Sequence, residues 1–254
     1  MSTCWTKGEI IGVDIYNNDV VVKRRAVGPS KKEPSKRREI TMFTEESRRR
    51  LAFVAANSSI DFFMMVTVTY PEHFPSDGVT VKRHLYRLLK WQQRAYGPHN
   101  YLWFIEFQAR GAPHFHILVD RIFGPAEILE RRAELARKWY EIVGSNDEKH
   151  LAAGTRFERL RSPEGGRRYA VKYAMKMRQK AVPPDYRSVG RFYGYSQAVK
   201  PSPVMQDIAL NAWELRDLLG DWRYLPDDPE ELYKVLFNTS GLVASRMVKE
   251  AGTL

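Results

Sequence analysis

From residue 61 to residue 180 the apolar residues switch repeatedly between two spacings, and the order of those switches constrains the fold more than any other feature of the chain. Apolar positions two apart predict a strand, and positions three and four apart predict a helix. Residues 61–69, DFFMMVTVT, read as a buried strand that stops at Tyr70-Pro71, because proline cannot donate to a ladder. Residues 79–96 read as a helix with Val81, Leu85, Leu88, Leu89 and Gln92 on one face. Residues 101–108 and 112–119 read as two strands. Residues 125–143 read as a helix, with Ile128, Leu129, Leu135, Trp139 and Ile142 at helical spacing. A strand over 155–161 and a basic helix over 166–180 follow. The order β-α-β-β-α-β is that of an α+β, ferredoxin-like split-βαβ fold. Two helices pack one face of its antiparallel sheet, and the other face is left to an added element or a ligand.

The flanks are less constrained. Residues 9–26 alternate like a hairpin with Asn17-Asn18-Asp19 at the turn. Residues 28–38, GPSKKEPSKRR, form a basic loop or linker, either solvated or set against phosphates. Thr44-Glu-Glu opens a helix that runs to about residue 56. GRFYGYS at 190–196 suits a strand or turn, and helices are expected near 205–220 and 229–237. The expected organisation is a hairpin and basic linker over 1–40, a main domain over 41–200, and a helical extension over 201–254.

The chain carries 41 Lys plus Arg against 30 Asp plus Glu, a net charge of +11. That balance favours a polyanionic partner, nucleic acid before membrane, since no helix pairs a cationic face with a purely apolar one. With Cys4 as the single cysteine, a disulfide framework and a cysteine-based zinc site are excluded within these 254 residues. The N-terminal MSTCWTKGEI has no apolar run for a signal peptide, and a cytoplasmic setting is expected.

The segment EFQARGAPHFHILV, residues 106–119, holds the first chemical signal. His114 and His116 are two apart on a strand and so share a face. Ala109-Arg110-Gly111 fits a three-residue hairpin loop with glycine in the left-handed position. Gln108 then pairs with Ala112, and Glu106 lies opposite His114. Glu106, His114 and His116 converge as candidate metal ligands, with Gln108 at the edge of the patch. Phe107, Phe115, Ile117 and Val119 point the other way. A two-residue turn would send Glu106 to the wrong face. Two imidazoles and a carboxylate leave open positions for water or substrate, and by themselves suit zinc or iron as well as harder ions.

The second signal is YAVKYAMK, residues 169–176. On a helix Tyr169 and Tyr173 stack on one face, and Lys172 and Lys176 on the neighbouring stripe. A phenol with a pKa of about 10 is a poor nucleophile at neutral pH and needs help to attack a phosphodiester. A divalent metal on the open sheet face and a lysine beside the tyrosine are the expected sources of that help.

These motifs resemble the HUH endonuclease superfamily, and within it the rolling-circle replication initiators of plasmids and phages. VTVTYP at 66–71 resembles the family's first motif. GAPHFHILV at 111–119 resembles its metal motif, with Glu106 at the place of the third ligand. YAVKYAMK resembles the two-tyrosine form of its nucleophile motif, and RFYGYS at 191–196 an aromatic-glycine segment of phage-type relatives. The resemblance covers roughly residues 60–196 and makes 41–200 an HUH endonuclease domain. It implies Mg²⁺ or Mn²⁺ as metal, nicking and rejoining of single-stranded or melted origin DNA, and a 5′-phosphotyrosine intermediate. No G-x-x-x-x-G-K-[ST] occurs in the sequence. No nucleotide cofactor is therefore expected, and helicase and polymerase are expected as separate host proteins. A transposase or mobilisation relaxase of the same superfamily, and a non-catalytic single-strand-binding protein, are the alternative readings.

Overall fold

The computed structural model describes residues 11–23, 42–175, 182–186, 189–210 and 241–245. Its elements follow in chain order: β1 (Ile11–Ile15), β2 (Asp19–Lys23), α1 (Glu45–Asn57), β3 (Met64–Thr69), α2 (Gly78–Ala95), β4 (Tyr101–Phe107), β5 (Pro113–Val119), α3 (Pro125–Val143), α4 (Glu148–Ala153), β6 (Thr155–Arg159), α5 (Pro163–Met175), β7 (Tyr193–Tyr195), β8 (Met205–Leu210) and β9 (Gly241–Ser245). The chain divides into two units: Arg37–Lys200, and Met1–Lys36 together with Pro201–Leu254.

In the larger unit five strands run in the order β6-β3-β5-β4-β7, and every neighbouring pair is antiparallel. The first four reproduce the split-βαβ order, and β7 extends the β4 edge. The expected α+β, ferredoxin-like architecture is present.

The ladder registers assign the faces. Phe157, Val66, Ile117 and Trp103 stand opposite one another across four strands, so they share one face. The helices α2 and α3 lie there. Tyr96, which caps α2, tilts against Phe157 and Phe123, Lys82 of α2 sits 4.0 Å above the Trp103 ring, and Arg132 of α3 donates to the Phe157 carbonyl. The other face carries Arg156, Thr67, His116 and Phe104 in register. Helix α5 covers this face, with Tyr173 stacked on Phe104, and α1 packs against α5.

Local chemistry starts the helices where the spacing predicts. Thr44 accepts from the Ser47 amide and Asp77 from the Thr80 amide, which satisfies donors that an uncapped helix leaves bare. In α2 the expected residues Val81, Leu85, Leu88, Leu89 and Gln92 are all buried. In α3 burial begins at Leu135 and continues through Trp139 and Ile142, whereas Leu129 is 65% exposed. Leu129 is thus a surface residue, and periodicity alone overstates the buried stripe. Helix α5 begins at Pro163, earlier than expected. A Cβ on Gly166 would lie 2.7 Å from Leu160, so the missing side chain lets the helix seat against the end of β6. Arg167 fixes the same end by pairing with Asp61.

In the smaller unit the order is β8-β1-β2-β9, again antiparallel. The β1–β2 hairpin turns through Asn17-Asn18, closed by the Tyr16 amide on the Asp19 carbonyl. The helix expected near 205–220 is not observed at its start: Met205–Leu210 is a strand paired with β1. The free β1 edge supplies a ladder that outweighs a helical reading of so short an apolar run. The 28–38 linker, residues 211–220, the 229–237 helix and Lys176 lie outside the described residues.

Candidate metal and tyrosine site

The β4–β5 hairpin closes as its loop length dictates. The Gln108 amide bonds the Ala112 carbonyl, the Gly111 amide bonds the Gln108 carbonyl, and Gly111 has φ 82°. Glu106 then stands opposite His114, and Phe104 opposite His116. Arg110 at the loop tip donates to Gln108 and to the carbonyls of Tyr70 and Pro71. The hairpin is thereby tied to the chain leaving β3.

On the face so defined, ligand atoms of Glu106, His114 and His116 lie within 4.8 Å of one another. Strand β3 orients both rings. Thr69 Oγ1 is 2.7 Å from His114 Nδ1, and Thr67 Oγ1 is 3.3 Å from His116 Nδ1. When each Nδ1–H donates to its threonine, both Nε2 lone pairs stay free for a ligand. His116 Nε2 is 3.0 Å from Glu106 Oε2, and the other carboxylate oxygen, Oε1, is buried without a partner among the described residues. Burial, with His116 beside it, pushes His114 down to about 4 against the pull of Glu106. A neutral imidazole, an orphaned carboxylate oxygen and no sulfur ligand make a cluster that fits a divalent cation.

Helix α5 brings both tyrosines to this cluster. The Tyr169 and Tyr173 rings lie 5.7 and 5.9 Å from the His116 ring. Their states differ. Tyr173 is 4% exposed, and its hydroxyl donates 2.6 Å to the Ile105 carbonyl. Burial, then the Glu106 charge, holds that hydroxyl far above the usual tyrosine range. Tyr169 is half-buried. Its hydroxyl is also raised, by burial and then by Glu106 and Glu158, and Arg156 opposes the shift.

The expected cations fare differently. Lys172 is on the exposed side of α5, and Lys176 lies outside the described residues. Arg156 of β6 is the charge that acts on Tyr169, and it pairs with Glu158 at 2.7 Å. Sequence reasoning passes over Arg156, Thr67 and Thr69. An alternation count on the short β6 would have placed Arg156 on the histidine face, but only the ladder register sets it two strands from His116.

Sheet order, cluster and tyrosine helix together define a split-βαβ domain of the HUH type. Residues 63–178 match the model of a family of replication-associated proteins, the one that groups ORF2 with the gene-2 protein. The match is consistent with a rolling-circle Rep protein and ties this segment to DNA replication. No curated protein and no solved structure matches the chain. Among the described residues no helix is long and apolar enough to cross a membrane.

Two outcomes follow from this geometry. Gly111→Ala forces a side chain into the left-handed region and should cost about 1–2 kcal/mol in urea unfolding. His114 takes up its proton near 4 in the folded metal-free protein and near 6.5 when unfolded. The unfolded state therefore binds more protons between those values, and folded stability should fall as pH drops through that window. In His114→Gln, thermal melts across the window should show a shallower slope. An unchanged slope would mean that His114 is not the group responsible.

Proposed function

We propose that the chain initiates rolling-circle replication by nicking and rejoining single-stranded or melted origin DNA through a tyrosine ester. The observation that carries this reading is the convergence of Glu106, His114 and His116 beneath the helix that bears Tyr169. The family match to replication-associated proteins supports it.

Glu106, His114 and His116 would hold Mg²⁺ or Mn²⁺. When bound, the ion supplies positive charge to the non-bridging oxygens of the scissile phosphate. Tyr169 is the attacking residue in this reading, because its side chain is half-open to solvent whereas the Tyr173 hydroxyl is committed to the Ile105 carbonyl. The Tyr169 oxygen forms a bond to phosphorus, and the bond from phosphorus to the 3′ oxygen breaks. The phenol proton leaves to solvent or to the neighbouring Glu158 carboxylate, and the departing 3′ oxygen takes up a proton. The products are a 5′-phosphotyrosine and a 3′-hydroxyl that can prime synthesis. The ester keeps one phosphate bond for another, so the reverse attack reseals the strand without a nucleotide cofactor. Arg156 offsets the negative charge on the phenolate and the phosphate. Lys172, and Lys176 farther along, add positive potential along the approaching strand. Unwinding and synthesis fall to a separate host helicase and polymerase. Tyr173 would serve a second transfer once its hydrogen bond to Ile105 opens.

An origin-derived single strand incubated with the protein and Mn²⁺ should give a covalent adduct on a denaturing gel, lost with EDTA. Tyr169→Phe should lower adduct yield by roughly 100-fold or more, a loss of the nucleophile itself. Tyr173→Phe should retain most of the first-turnover adduct. The reverse pattern would reassign the nucleophile. Strand binding without any adduct would favour the non-catalytic alternative, and activity on transposon ends or transfer origins alone would favour the transposase or relaxase reading.

A further inference from the structure

Helix α2 is chemically unlike the other long helices of its unit, which set cations within reach of an acid one turn away. Arg49 and Arg50 pair with Glu45 and Glu46 on α1, Arg131 and Lys138 with Glu134 and Glu141 on α3, and Arg168 with Glu164 on α5. Between Gly78 and Ala95, α2 contains no Asp or Glu at all. Its outward residues Arg83, Arg87, Lys90 and Arg94 are all exposed. They are spaced four, three and four apart, which puts them on one stripe. At a rise of about 1.5 Å per residue the stripe is about 16 Å long. Among the described residues none of the four is in an ion pair. Arg83 stands in the field of the N-cap carboxylate of Asp77 without bonding it. The opposite side of α2 is locked into the core by Val81, Leu85, Leu88 and Leu89, so the row of charges is rigid.

We propose that this stripe is a second nucleic-acid contact, which holds the phosphates of duplex DNA flanking the processed strand. Four cations without acidic partners on a rigid rod are complementary to a polyanion of regular charge spacing. The face offers a single exposed aromatic, Tyr86, over which Lys90 lies at 4.8 Å. It therefore lacks the repeated stacking platform that single strands use, and a duplex keeps its bases to itself. The stripe is on the α2–α3 side of the sheet, away from Glu106, His114 and His116. A duplex bound there leaves the metal and tyrosine face open to the single strand. The contact is independent of whether that face nicks DNA.

The test is the salt dependence of binding of the full chain to a fluorescent duplex of about 30 base pairs. Each lost phosphate contact lowers the slope of log K against log salt by about 0.9. The variant Arg83→Gln/Lys90→Gln/Arg94→Gln leaves Arg87, which also donates to the Ile142 carbonyl and joins α2 to α3. Its slope should fall by about two to three, with an unchanged melting temperature and unchanged adduct formation on a short single strand. A control variant, Arg49→Gln/Arg50→Gln/Arg168→Gln, removes three paired cations and should keep the slope within about one of the parent. An unchanged slope in the α2 variant, or an equal fall in the control, would overturn the proposal. So would loss of binding to polyglutamate with duplex binding intact, which would assign the stripe to an acidic protein.

Discussion

The site depends on where Thr69 ends β3. Its carbonyl accepts two side-chain donors, Trp139 Nε1 at 2.7 Å and His150 Nε2 at 2.8 Å, and its amide donates to the Gly154 carbonyl. Three elements from later in the chain therefore fix one residue. Its hydroxyl in turn holds His114 at 2.7 Å. Buried hydrogen bonds add modestly to stability but exact a large penalty when broken, so they set position more firmly than they add energy. Trp139 belongs to the helix on the far side of the sheet, and through Thr69 it helps aim a ring on the chemical side.

Much of this is legible in the sequence because strand periodicity and loop length obey rigid geometry. One glycine at the third place of a three-residue loop implies the register that sets Glu106 opposite His114, and the ladder has that register. The tyrosines four apart on α5 both reach the His116 ring. Those inferences need only local rules: alternation on a strand, succession on a helix, and a turn of known length.

What escapes the sequence is contact between distant elements. The threonines that orient the histidines sit 45 and 49 residues before their partners, and no local pattern links them. Arg156 reaches the site only through the pairing of β6 with β3. The short α4, with its His150, is invisible to periodicity because its six residues carry too little of it. Residues 205–210 read as helix in isolation because their strand exists only where β1 lies beside it. The distinction between Tyr169 and Tyr173 is also hidden, since it turns on which hydroxyl meets a backbone carbonyl.

The residues in register across the chemical face are Arg156, Thr67, His116, Phe104 and Tyr193, one from each of five strands. They run across the sheet and not along the chain. A recombination event that swaps a contiguous stretch of gene inside 64–195 breaks that row, whereas a crossover outside it leaves the row whole. The heritable unit of this chemistry is the complete sheet, and novelty in such a lineage should arise by exchange of flanks around an intact centre.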